Sequence, residues 1–200
     1  ELSQLIGFEK DDSDIQKLNQ AAGLDWISLD SRTISILDKA EKVAQDSGGA
    51  FSPTIVPILN LWGFSGSNPS VPTQEKIEQF LPYVDYQNLR VDTQENTASL
   101  KMRYSSVSLD GVYNGALCES AVSSYQTSGV AAGIITVGNS VGVYGTKPDG
   151  SKWTLAVKNP DVTDTELLAI GTFTIESGYA STCQLEQNSF VQDGTTYYGI

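Results

Sequence analysis

The sequence predicts an α+β fold, a mixed sheet with packed helices in a single domain over residues 1–200. Three observations carry that expectation. Several segments repeat apolar residues at helical spacing, several others alternate like strands, and the two kinds mix without a regular βαβ rhythm. Two hundred residues suffice for one domain with a sizeable core. A hydrophobic fraction of 40% with 18% charged residues fits a globular chain rather than a disordered one.

The elements follow in order. Asp30 can cap a helix over residues 30–47, with Ile34, Leu37, Ala40 and Ala44 on one face and Gly48 ending it. Residues 64–72 are rich in Gly, Ser and Pro and read as a surface loop. Thr73 then starts a second helix through Glu75, Ile77 and Phe80, which Pro82 closes. Residues 88–91 and 97–104 alternate like strands around a turn at residues 92–96. Residues 111–128 read as a helix with a small-residue face of Ala116, Leu117, Ser120, Ala121 and Ser124. Residues 132–137 and 141–144 are strands flanking Gly138-Asn139-Ser140. A hairpin turn at Lys147-Pro148-Asp149-Gly150 returns as a strand over residues 153–157, and residues 167–175 form a further strand. Internal repeats, low-complexity tracts and linkers are absent from the sequence.

Composition excludes several chemistries. The 24 acidic against 12 basic residues give a formal net charge of −12, with an isoelectric point near 4.2. Such a surface disfavours nucleic acid and anionic lipid, and it repels a diphosphate unless a cation or backbone N–H groups act locally. No histidine occurs, which removes Ser-His-Asp and Cys-His catalysis, imidazole metal ligation and imidazole proton shuttling from this chain. Cys118 and Cys183 form no metal-ligand pattern; one disulfide or two separate thiols both remain open. No run of about 18 apolar residues is present, so no membrane-spanning helix is expected. The opening Glu1, without a methionine or signal peptide, suggests a processed or excised piece.

The most informative string is residues 48–64, Gly-Gly-Ala-Phe-Ser-Pro-Thr-Ile-Val-Pro-Ile-Leu-Asn-Leu-Trp-Gly-Phe. Gly48 and Gly49 permit a sharp turn. Pro53 and Pro57 speak against a plain helix, while Phe51 and Trp62 offer flat apolar surfaces of the kind used for packing and for planar ligands.

This string resembles the FAD:protein FMN transferase (ApbE) family, whose pattern reads Thr-Gly-Gly-Ala-Phe-Asp-Pro-Thr, a few apolar residues, then Leu-Trp-Gly. Ser13-Asp14-Ile15, Leu18-Asn19 and Ala21-Ala22-Gly23 are similar to the family's upstream Ser-Glu-Ile, Leu-Asn and Ala-Ala-Gly. The stretch around Gly115 is shaped like Asp-Leu-Gly-Gly-Ile-Ala-Lys-Gly. Gly145 to Gly150 with Trp153, and Ser177-Gly178, match later turns. The matches run in family order along nearly the whole chain.

The resemblance implies FAD as ligand and, with Mg²⁺, transfer of its FMN part to a Ser or Thr of a target flavoprotein with release of AMP. It also implies an extracytoplasmic location, periplasmic, at the cell surface or lipid-anchored. The family's flavin contacts fall on Ala50, Phe51, Ser52, Ser108, Asn114 and Ile200. At Ser52 and Ser108 the family has aspartates, at Asn114 a lysine, and at Gly199 the histidine of a Tyr-x-His-Ile that here reads Tyr197-Tyr198-Gly199-Ile200. A serine lacks the carboxylate that Mg²⁺ prefers, and an asparagine lacks the charge that steadies a phosphate. Asp110 is a candidate substitute carboxylate two residues beyond Ser108. The family's Asp-Pro-Arg-Thr-Gly and Asp-x-x-x-Thr metal segments and its N-terminal strand are not in this sequence.

Three functions follow from these residues. The first is a flavin-binding domain whose own catalysis is impaired and whose use of Mg²⁺ is in question. The second is a working transferase whose catalytic tail lies outside this chain. The third is an extracytoplasmic interaction or scaffold protein, for which exposed Tyr179, Tyr197 and Tyr198 would serve. Trp62 and Trp153 are expected to pack at core or rim, Gly138-Asn139-Ser140 to connect strands, and Lys147 to Gly150 to form only a turn.

Overall fold

A computed structural model describes residues 1–64, 66, 68–160, 166–183 and 189–199. The α+β expectation holds: helices combine with several small sheets, and every described strand pair is antiparallel. The chain forms two compact units, Glu1–Tyr113 with Gln184–Ile200, and Asn114–Cys183.

The first unit opens with α1 (Leu2–Ile6) and α2 (Asp14–Gln20), followed by β1 (Ile27–Ser28) and α3 (Ser31–Asp46). Ser13 caps α2 by accepting the Gln16 N–H at 3.1 Å. Asp30 caps α3 by accepting the Arg32 N–H at 2.9 Å. Ile34, Leu37, Ala40 and Ala44 are buried, as the helical spacing predicts, and burial of such an Ile or Leu contributes about 1.5–3 kcal/mol. The buried carboxylate of Asp14 ties α2 to α3, accepting from the Asp30 N–H at 2.9 Å and the Thr33 hydroxyl at 2.8 Å.

Next come α4 (Val56–Trp62), α5 (Gln74–Phe80) and two short 3-10 turns, Leu81–Tyr83 and Tyr86–Asn88. Helix α4 lies inside the string that the prolines marked as non-helical. Pro57 sits in its first turn, where the missing N–H would have had no helical partner. Thr73 caps α5 as expected.

Strands β2 (Leu89–Asp92) and β3 (Thr97–Leu100) pair antiparallel, with β1 on the far side of β3. The expected strand over 97–104 stops at Leu100. There the Gly23 N–H takes the Leu100 carbonyl at 2.8 Å, and the chain turns with the Ser105 N–H on the Met102 carbonyl. Gly23 is required at this crossing: its φ is +73°, and a Cβ would lie 2.6 Å from the Arg103 backbone.

Asn19 is the main polar tie of this unit. Its amide donates to the Val107 carbonyl at 2.9 Å and accepts the Val107 N–H at 2.7 Å. The hairpin of β9 (Ser189–Gln192) and β10 (Thr195–Tyr198) packs its aromatic face on α4. Phe190 and Tyr197 stack at 5.3 Å, and the Trp62 ring lies 5.6 Å from Tyr197 and 6.1 Å from Phe64. Trp62 is thus a packing residue, as expected, and Tyr197 is half-buried against it rather than exposed.

The second unit contains most of α6 (Asp110–Thr127), then β4 (Gly133–Val137), β5 (Ser140–Tyr144), β6 (Trp153–Lys158), β7 (Ala169–Ile175) and β8 (Gly178–Ser181). The expected hairpin of β5 with β6 is not formed. β5 lies between β4 and β8, and β6 pairs with β7 instead. The cause is side-chain matching: Trp153 and Leu155 stand opposite Ile175 and Phe173 on one face of the ribbon. Gly142 of β5, without a side chain, accommodates the Tyr179 ring of β8. The turn at Lys147 to Gly150 closes with a 2.9 Å backbone bond, and the Trp153 indole N–H donates to the Gly145 carbonyl at 2.9 Å. Both cysteines are free thiols, Cys183 exposed and Cys118 buried, and burial pushes the Cys118 thiol above its ordinary range. Among the described residues no helix is long and apolar enough to cross a membrane.

Two predictions follow from the ties of the first unit. Asn19→Ala strips both partners from the fully buried Val107 backbone, so urea unfolding should show a loss of about 2–4 kcal/mol; a loss below 1 kcal/mol would contradict the clamp. The Arg32 guanidinium and N–H hold Asp30 at a pKa of about 2. That stability is present above the ordinary carboxylate pKa and is lost as pH falls through about 2. The stability gap between wild type and Asp30→Asn should therefore be constant near neutrality and close between about pH 4 and pH 2.

Candidate functional site

The candidate site is built where α3 ends. Gly48 and Gly49 both take left-handed backbone, with φ of +61° and +86°. The Gly49 N–H returns to the Ala44 carbonyl at 2.8 Å, and the Phe51 N–H bonds the Ser47 hydroxyl at 3.1 Å. Two consecutive residues of this conformation reverse the chain within one turn, and side-chain-bearing residues rarely adopt it. The reversal presents Ala50, Phe51 and Ser52 in succession.

The second wall is the segment entering α6. The Ser108 N–H donates to the Pro53 carbonyl at 2.9 Å, so the two stretches run side by side. The Ser108 hydroxyl accepts the Asp110 N–H at 3.1 Å and caps the start of α6. The Phe51 ring lies against Gly111; a Cβ there would meet Phe51 Cε2 at 2.9 Å. Asp110 is exposed and is the acidic residue of the helix's first turn.

Ser52 is not a free polar group. Its Oγ lies 2.9 Å from Thr54 Oγ1 and 2.9 Å from the Val84 carbonyl, and it accepts the Thr54 N–H at 3.3 Å. Thr54 Oγ1, fully buried, also reaches the Val84 carbonyl at 2.9 Å. The Ser52 hydroxyl thus binds the connection to the turn before β2.

Four of the six residues singled out from the sequence, Ala50, Phe51, Ser52 and Ser108, are brought together in the first unit. Asn114 belongs to the second unit, on α6. Its amide donates to Asn139 Oδ1 at 2.9 Å, and Asn139 in turn holds the Thr182 carbonyl. Gly138-Asn139 is the strand connection expected, with φ of +55° at Gly138 and the Asn114 amide packed where a Cβ would stand. Ile200 lies outside the described residues. Sequence reasoning named Asn19 and Thr54 only as members of motif strings, without their bonds, and did not single out Val84.

Comparison with known proteins agrees with this geometry. The sequence profile of the ApbE family matches residues 1–200. The FAD:protein FMN transferase of Vibrio cholerae (serotype O1) is 26% identical over 204 residues, covering 100% of this chain and 59% of its own length. That of Escherichia coli K12 is 25% identical over 195 residues, covering 96% and 55%. The crystal structure of the ApbE protein from Thermotoga maritima superposes with a TM-score of 0.84 at 27% identity, covering 99% of this chain and 63% of that one. The apo form of Pseudomonas stutzeri flavinyl transferase ApbE shares the fold, with a TM-score of 0.80 at 24% identity. The chain spans less than two thirds of the length of each of these relatives. With its two motif stretches joined at Ser108 and Pro53 and a profile match from end to end, the chain belongs to the ApbE family.

Proposed function

We propose that this chain binds a flavin nucleotide where the Ala50–Ser52 connection meets the start of α6, and that these residues do not themselves carry phosphoryl transfer. The observation that supports binding is the junction itself. A half-exposed Phe51 ring, a planar apolar surface, is fixed against Gly111, while the Ser108 N–H bond to Pro53 holds the two walls together. A planar ring stacks on such a surface with about 0.5–1.5 kcal/mol beyond its area burial.

Impaired transfer is supported by the donor set. The family's chemistry draws on Mg²⁺, which neutralises charge between phosphate oxygens and prefers carboxylate and other hard oxygen ligands. Ser52 and Ser108 offer neutral hydroxyls that are already bonded within the chain. Asn114 belongs to the second unit, where its amide is engaged with Asn139. Ser52 and Ser108 thus give Mg²⁺ no carboxylate and do not fit a site for it. What they do is orient: Ser52 fixes the connection, Ser108 caps α6, and Asn114 fixes the β4–β5 turn.

Titration of the purified chain with FAD, with and without Mg²⁺, tests both parts through flavin fluorescence and AMP release. Saturable binding that ignores Mg²⁺, without AMP, is expected. AMP release would restore the transfer that the relatives' names describe, and absence of saturable binding would remove the flavin site altogether. Gly111→Ala separates positioning from folding. Alanine favours the helix by up to about 1 kcal/mol over glycine, so thermal stability should be kept or raised. The Phe51 ring must shift, so FAD affinity should fall; unchanged affinity would detach Phe51 from the ligand.

A further inference from the structure

Three carboxylates border the junction where Phe51 meets Gly111. Asp46 stands in the last turn of α3, two residues before Gly48. Asp85 follows the Val84 carbonyl that Ser52 and Thr54 hold. Asp110 precedes Gly111 itself. All three are exposed, and none forms an ion pair among the described residues. Nor do three acidic or thiol side chains gather as a metal site among the described residues.

Cations are missing from the same segments. No lysine or arginine occurs in residues 43–75 or in residues 104–146. Ala50, Phe51 and Ser52 fall in the first stretch, Ser108 and Gly111 in the second. A helix start ordinarily favours an anion, with about half a positive charge. Asp110 sets a full negative charge against that of α6 from within its first turn. Asp46 adds its charge at the end of α3, where the helix dipole is already negative.

We propose that the site recognises a flavin by its uncharged ring system and takes riboflavin, the flavin without phosphate, in preference to FMN. The inference rests on the flavin reading above and narrows its ligand class; phosphate-bearing flavins use the same ring contact more weakly. Stacking on Phe51 engages only the ring, which both ligands share. They differ by one phosphate, which carries about −1.5 to −2 charges at neutral pH. The ribityl chain keeps that phosphate within about 10 Å of the ring, a distance over which charges at 0.1 M salt still act on one another. There it faces carboxylates, with no cation in either wall to offset it. Repulsion at such distances in a high dielectric is worth about fivefold to tenfold in affinity. FAD adds an adenosine whose own contacts would overlay that repulsion, so FMN is the cleaner comparison.

The test is a fluorescence titration of the purified chain with riboflavin and with FMN, at about 0.02 M and about 0.5 M salt. Riboflavin is expected to bind about fivefold to tenfold tighter at low salt, with the ratio falling toward one at high salt. Asp110→Asn, at an exposed position, should lower the low-salt ratio about twofold. Both affinities come from the same variant, so a loss of folded protein does not enter the ratio. FMN binding as tightly as riboflavin, or tighter, overturns the preference and leaves the flavin site in place. A preference that neither salt nor Asp110→Asn moves has another origin than charge, and the proposal falls. Saturation by neither ligand removes the flavin reading itself and this inference with it.

Discussion

The first unit depends on one side chain that bonds both backbone groups of a single distant residue. Asn19 donates to the Val107 carbonyl and accepts the Val107 N–H across 88 positions of sequence. Because Val107 is fully buried, neither backbone group has water as an alternative, and a partner lost there would be costly. The clamp fixes the backbone direction one residue before Ser108. From that point the Ser108 N–H reaches Pro53, the Ser108 hydroxyl starts α6, and Gly111 comes to rest on Phe51. A helix near the beginning of the chain therefore positions a junction between two much later segments. The Leu18-Asn19 pair, which sequence comparison registers only as a motif, is explained by this geometry.

Local signals were legible where they act locally. Asp30 and Thr73 are caps, and the residues at helical spacing on α3 are the buried ones. The helix over α6 was readable from the small-residue face of Ala116, Leu117, Ser120, Ala121 and Ser124. Strand partnership was less so, because it is decided by side chains that meet across the ribbon. The β6–β7 pairing rests on Trp153 and Leu155 finding Ile175 and Phe173, and proximity in sequence pointed wrongly to β5. Helix α4 was hidden by Pro57, a helix breaker everywhere except in the first turn it occupies. For the site, the string from Gly48 onward and the segment from Ser108 were both visible, but the bond joining them was not. The role of Val84 was invisible in principle, since a backbone carbonyl has no residue type to betray it.

Ser52 and Ser108 each bring a neutral hydroxyl oxygen to the junction. In both cases the hydroxyl takes a structural bond: Ser52 holds the Val84 carbonyl, and Ser108 caps a helix. Each is a task a neutral hydroxyl performs well, and for Ser52 it is one a carboxylate could not perform, since an ionised acid has no proton to give a carbonyl. In the second unit Asn114 also makes a neutral contact, its amide engaging that of Asn139.

The triangle of Ser52, Thr54 and Val84 has one more property. Three oxygens lie 2.9 Å apart in pairs, but the two hydroxyls together own only two protons. One edge of the triangle is always bare. Each hydroxyl can turn toward the other or toward the carbonyl, so the bare edge migrates by rotation about a C–O bond while every heavy atom stays in place. The connection beneath Phe51 is therefore geometrically rigid yet degenerate in hydrogen, and it keeps a small orientational entropy that a single fixed bond would have frozen out.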